Sequence, residues 1–256
     1  MIRLPGYVFF SFVLPLDGLF IEETESKFRM RIQKLKLYTN NLQLEREFYH
    51  TTLGFDIIAS NSNLFTVKIG WSELTFEKSE EEHKYHYCFL IPSNKLIQAM
   101  EWMEKRVAII ELENGKKTQR FETWNADSFY FYDASGNLAE FIVRHDLENA
   151  RNSDFSISDV LCVNEIGMPT DDVEKSNNQL QNHFETEFWK GDQTRFGTNG
   201  SQEGLFLLPN YTVKDTWFPT SIRIKPEPFS VQFISNGKEY YMEYEDGEIS
   251  SAANDR

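Results

Sequence analysis

One pattern recurs three times along the chain and limits the folds open to it. KLKLYTNNLQLEREFYHTTLGF begins at Lys34, HYCFLIPSNKLIQAMEWMEKR at His86 and EIGMPTDDVEKSNNQLQNHF at Glu165. Each opens with a strand-like run of about seven residues. Each then reaches a residue suited to capping a helix: Asn41, Ser93 and Asp172. Such side chains accept the free N–H groups of a first helical turn. The helices that follow have apolar faces marked by Leu42, Leu44, Phe48 and Tyr49, by Leu96, Ile97, Met100 and Met103, and by Val173, Leu180 and Phe184. Gly54 is placed to end the first of them.

Short strand-like runs follow each helix. They are DIIAS, LFTVKI and SELTFEK after the first, and VAIIEL, SFYFYD and LAEFIVR after the second. Weaker ones near EFWKG and GLFLLP follow the third. The unit is therefore β-α-β-β-β, and an α+β fold with mostly antiparallel strand pairs is expected. The polar segment 146–156 is a reasonable boundary. It divides a domain over 30–146, made of the first two units, from a region 157–256 holding a third, degenerate unit, further strands and a solvated tail from Glu245.

Residues 1–29 are expected to lie outside the fold. GYVFFSFVLPL resembles a short signal-peptide core, but only Arg3 precedes it and no A-x-A site follows. It is too short for a membrane helix. The chain begins as a domain would at Met30.

A formal net charge of −14 argues against a nucleic-acid partner, which needs a basic face, and against an anionic membrane surface. The two cysteines, Cys88 and Cys162, both sit in apolar runs. Two core thiols fit a reducing cytoplasm better than a disulfide framework does.

The candidate chemistry begins with Glu140, a carboxylate in the middle of the apolar run LAEFIVR. Leu138, Glu140 and Ile142 share one strand face. A carboxylate buried there must be protonated, paired or metal-bound. Glu73 interrupts GWSELTFEK in a similar way, and Lys34 and His86 open their units at equivalent places. If the first two units pair, Lys34, Glu73, His86 and Glu140 converge. Imidazole with carboxylates is a ligand set for a divalent ion. The third unit has Glu165 at its opening and Glu203 near the later position. No histidine joins them, so this half reads as degenerate in chemistry.

The βαβββ units, the stretch LEREFYHTTLGF, SELTF, the strand beginning YHYCF and the turn DASGNLAEF resemble the vicinal oxygen chelate superfamily, the glyoxalase, bleomycin-resistance and extradiol-dioxygenase group. The resemblance is good over 31–145 and weaker over 157–210. It implies paired βαβββ modules forming a cupped mixed sheet, with a metal held by residues of first and last strands. It implies His86 and Glu140 as ligands and Glu73 as ligand or base, with Glu140 also able to act in catalysis. The ion would be Fe, Mn, Zn or Ni. The fourth position holds Lys34, which has no lone pair until deprotonated. Gln33 reaches that position only by a register slip that reverses the strand faces. The expected activity is metal-dependent lyase, isomerase or dioxygenase chemistry on a small oxygenated molecule, by a monomer or homodimer. The alternative is a metal-free binding module of the resistance type, with Lys34 in the ion's place.

Overall fold

The computed structural model describes residues 28–113 and 115–251. Apart from Phe28 and Arg29, the N-terminal extension lies outside the described residues. The first unit runs β1 (Met30–Thr39), α1 (Leu42–Arg46) with a π-helical continuation Glu47–Thr52, β2 (Ile57–Ser60), β3 (Leu64–Ile69) and β4 (Ser72–Lys78). The second runs β5 (His86–Leu90), α2 (Leu96–Glu104), β6 (Gln119–Phe121), β7 (Ala126–Tyr132) and β8 (Leu138–Arg144). The third runs β9 (Cys162–Gly167), α3 (Val173–Phe184), β10 (Phe188–Gly191), β11 (Phe196–Ser201) and β12 (Gly204–Pro209). A meander follows: β13 (Phe229–Ser235), β14 (Lys238–Glu245) and β15 (Glu248–Ser250).

In every unit the first strand pairs parallel with the last: β1 with β4, β5 with β8 and β9 with β12. Of the three expected helix caps, Asp172 accepts from Lys175 N at 2.9 Å. Asn41 precedes α1 but makes no side-chain cap bond, and α2 starts only after Lys95, downstream of Ser93.

The strands form two mixed sheets, ordered β15-β14-β13-β1-β4-β3-β2 and β10-β11-β12-β9-β5-β8-β7-β6. Contrary to what the sequence leads one to expect, the first two units do not pair with each other. The second unit pairs with the third, through the antiparallel contact of β5 with β9. The first unit stands in the other sheet, and residues 79–85 carry the chain across. The open edge of β1 is covered by β13, which supplies the hydrogen bonds an edge strand must find. The segment expected to be a solvated tail contributes β15, which pairs with β14. The acidic loop before β5 is likewise less solvated than its composition implies. His83 is buried there, 2.8 Å from Glu227 Oε2.

Strand alternation decides what each sheet face does. Leu35, Leu37, Phe76, Tyr87, Phe89, Phe141, Val163, Ile166 and Phe233 belong to one continuous core that holds both sheets and the helices together. The opposite face of the first sheet carries Lys34, Lys36, Glu73 and Glu77, paired across the strands near solvent. The opposite face of the second sheet is buried as well. Leu138, Glu140, Ile142 and Arg144 alternate along it, and all four are buried. The sheets also meet through hydrogen bonds: Ser72 Oγ donates to Ile32 O at 2.6 Å and accepts from Val163 N at 3.1 Å. No helix among the described residues is long and apolar enough to cross a membrane.

Candidate metal centre and its cavity

Glu140 is set by the turn before it. In DASGN, Asp133 Oδ1 accepts from Ser135 N at 3.0 Å and from Asn137 N at 2.8 Å, and Gly136 takes the left-handed φ of +75° that closes the turn. The turn delivers β8 in register with β7 and β5. Tyr130 and Cys88 are then the cross-strand neighbours of Glu140. On its other side Cys88 pairs with Glu165 of β9. The two carboxylates thus flank one buried thiol, and His86 stands one pleat further along β5.

Glu165 reaches this face through a β-bulge. Phe89 pairs with Val163, and Cys88 pairs with Glu165, so Asn164 is the extra residue. Strict alternation would put Glu165 on the same side as the core residue Val163. The bulge turns it the other way. Asn164 is used as well, since its Oδ1 accepts from Arg144 Nε at 3.1 Å.

One donor atom each of His86, Glu140 and Glu165 lie within 4.8 Å of one another. The three residues are 6%, 3% and 2% exposed. His86 Nδ1 lies 3.0 Å from Leu138 O and can only donate to it, which leaves the Nε2 lone pair free, 3.5 Å from Glu140 Oε2. Burial lowers the His86 pKa to about 4, and the charge of Lys214 acts in the same direction. The ring is therefore a neutral ligand-type imidazole at neutral pH. Burial pushes Glu140 up to about 8, and the charge of Glu165 adds to the effect. Burial also raises Glu165, opposed by Arg144. Arg144 donates through Nη2 to Glu165 Oε1 in a buried ion pair, and its guanidinium lies 5.2 Å from the Trp189 ring and 5.8 Å from that of Trp124. Burial, then the two glutamates, push the Cys88 thiol up, so it stays protonated and is a poor ligand.

The cluster opens into a cavity of about 300 Å³. Its walls include Phe121, Trp124, Tyr130, Phe196, Trp217 and Phe218. Lys214 also lines it, half-buried, with its pKa lowered to about 8 by burial and then by the charge of Arg195. Trp217 packs against His86 with ring centroids 4.9 Å apart.

Of the residues singled out in the sequence, the structure brings His86 and Glu140 together and leaves Glu73 and Lys34 apart from them. Glu73 stands on β4 in the first sheet, directly across from Lys34, with Lys34 Nζ 3.6 Å from Glu73 Oε2. The Lys34 side chain is 57% exposed. Lys34 therefore cannot stand in for an ion beside Glu140, and Glu73 cannot serve as ligand or base there. Glu203, the other acidic candidate of the third unit, is paired with Arg31 at 2.6 Å and is not in the cluster. Glu165 completes the cluster, so the third unit is not degenerate in chemistry, contrary to the expectation from its lack of a histidine. The position of Glu165 at the opening of the third unit, matching His86 in the second, was the available signal.

The architecture has counterparts among solved structures. A proposed dioxygenase from Bacillus subtilis is similar over 82% of this chain and 83% of its own, with a TM-score of 0.54 and 12% identity. A glyoxalase I mutant from Zea mays is similar over 71% of this chain and 68% of its own, with a TM-score of 0.50 and 11% identity. The chain has the vicinal oxygen chelate fold. A lactoylglutathione lyase from Agrobacterium tumefaciens, at 18% identity and a TM-score of 0.38, matches 44% of this chain and 92% of its own. No family model matches the chain, and no curated protein matches it. Within the vicinal oxygen chelate fold, the described cluster lies on the sheet shared by the second and third units.

Proposed function

We propose that this protein is a metal-dependent enzyme that acts on a small oxygenated molecule, with a divalent ion held by His86, Glu140 and Glu165. The observation that carries this reading is the hydrogen bond of His86 to Leu138 O at 3.0 Å. The ring's Nδ1–H is committed to Leu138 O, and its Nε2 lone pair faces two buried carboxylates. Ligand histidines are oriented in this way by a hydrogen bond from the other ring nitrogen. Of the two carboxylates, only Glu165 has an arginine partner among the described residues. With both ionised, the cluster keeps a negative charge that a cation would neutralise.

An ion bound there would supply Lewis-acid polarisation of a bound oxygen. The protein's own groups do the rest. Arg144 and Asn164 hold Glu165 and the bulge in place, Trp217 excludes water from one side of His86, and the aromatic walls confine the substrate. Leu207 of β12 lines the cavity and has no ligating atom, which leaves that side open for substrate. One imidazole with two carboxylates is a harder donor set than the two-histidine triad of ferrous oxygenases. This favours isomerase or lyase chemistry over oxygen activation. The two buried free thiols fit a reducing compartment.

A second reading has its own support. Glu140, pushed up to about 8, can hold a proton at neutral pH, which lets the cavity persist as a metal-free binding cup. Elemental analysis of tag-free protein decides between them. Near-stoichiometric manganese, iron, zinc or nickel in the wild type, absent from His86→Ala, supports the enzyme. Metal-free protein even after incubation with each ion leaves only the cup.

A further inference from the structure

Among the described residues, the only cationic side chain lining the cavity is Lys214, which comes from the loop 210–228 between β12 and β13. The loop is folded upon itself. Trp217 N donates to Ile222 O at 2.9 Å, Ile224 N to Asp215 O at 2.8 Å, and Thr220 N to Trp217 O at 2.7 Å. Lys214 Nζ donates to Thr216 O at 2.6 Å. That uses one of its three donors. No carboxylate lies within ion-pair distance of it among the described residues, although it is half-buried. An ammonium placed in this way, with donors to spare at the wall of an apolar cavity, is arranged to receive an anion from within.

The loop also depends on one residue of the metal-binding sheet. A Cβ on Gly167 would lie 2.7 Å from Trp217 Cη2 and Cζ2. Glycine at this position of β9 lets the indole sit down on the sheet beside His86. The loop, and Lys214 with it, is thus fitted to the cavity. The size of the cavity sets the ligand. About 300 Å³ is roughly twice what suffices for a benzene molecule, so it takes one ring with its substituents.

We propose that the cavity selects a single-ring aromatic molecule bearing one negatively charged substituent, with Lys214 binding that charge and the aromatic walls holding the ring. This rests on the proposed function only for the orientation of the ring's oxygens toward the ion. The role of Lys214 follows from the cavity itself.

The test is calorimetric binding of 4-hydroxybenzoate and of the uncharged 4-hydroxybenzyl alcohol at pH 7. Wild type, Lys214→Met and Lys214→Arg are compared, each after chelation and again after loading with Mn²⁺. Wild type is expected to bind the acid at least about tenfold more tightly than the alcohol, a preference worth about 1.4 kcal/mol. Lys214→Met should lose the preference and Lys214→Arg should keep part of it. Thermal unfolding of each variant checks that it is folded. No acid binding to wild type, or a preference that survives Lys214→Met, overturns the proposal. The two readings separate cleanly. A Lys214-dependent preference in protein that takes up no Mn²⁺ defeats the metal centre and leaves this inference standing. Mn²⁺ uptake without any such preference does the reverse.

Discussion

Arg144 and Glu165 form an ion pair from which solvent is excluded on both sides, with side chains 0% and 2% exposed. The pair joins the last strand of the second unit to the first strand of the third. Burial raises the Glu165 carboxyl, and the arginine opposes that shift. Removing the arginine leaves a buried carboxylate unpaired, which typically costs about 3–5 kcal/mol. Arg144→Met is therefore expected to destabilise the metal-free protein by about that amount, as read by urea denaturation with a chelator present. A loss below about 1 kcal/mol would mean that Glu165 is protonated or has relaxed toward solvent.

Gly167→Ala tests the seat of Trp217. The added Cβ meets a rigid indole at 2.7 Å, so the ring must lift away from His86. Overpacking of this kind costs about 1–3 kcal/mol. Tryptophan emission should shift to the red, and binding of 4-hydroxybenzoate should weaken. An unchanged spectrum would show that the loop adapts without moving the ring.

Metal affinity should depend on pH through Glu140. A ligand carboxylate must be deprotonated, and burial holds this one up at about 8. Affinity for Mn²⁺ is expected to rise from pH 6 to pH 8 and to level off above that. Glu140→Gln should bind weakly at every pH. A flat profile for the wild type would mean that Glu140 is not a ligand.

A second buried acid predicts the pH dependence of stability. Glu45 of α1 is buried, and its Oε1 accepts from Ser135 N at 2.7 Å. Burial, then the neighbouring Asp133, raises its pKa from 4.5 to about 9. A raised carboxyl stabilises the fold in its protonated form. Its contribution is full below about pH 4.5, declines as pH rises and is gone once pH passes about 9. The melting temperature should fall between pH 7 and pH 10. Glu45→Gln, which keeps an acceptor for Ser135 and carries no charge, should flatten that fall. If the variant and the wild type track each other, Glu45 is not the group responsible.

Much of the architecture was legible because local chemistry writes it. Alternating faces mark the strands, and the DASGN turn announces β8 with Glu140 upon it. His86 and Glu140 belong to one unit, so their meeting needs only the parallel pairing of β5 with β8. What could not be read is what depends on partners far along the chain. The choice of the third unit as partner for the second is made by strand edges and by contacts more than seventy residues apart, such as Cys88 with Glu165. Glu165 was hidden further by the bulge at Asn164, because counting by twos from Val163 sends its side chain into the core. Lys214 and Trp217 lie in a loop without periodicity, and nothing local ties them to a site.

The central claim is that the ion is held between the second and third units and not between the first and second. Calorimetric titration of chelator-stripped protein with Mn²⁺ tests it most directly, comparing wild type, Glu165→Gln and Glu73→Gln. Glu73 and Lys34 are a solvent-facing pair, worth about 0–1 kcal/mol, so Glu73→Gln should fold normally. The account predicts about one ion per chain for wild type and Glu73→Gln, with affinity reduced at least about tenfold in Glu165→Gln. Loss of binding in Glu73→Gln with Glu165→Gln unaffected would contradict it.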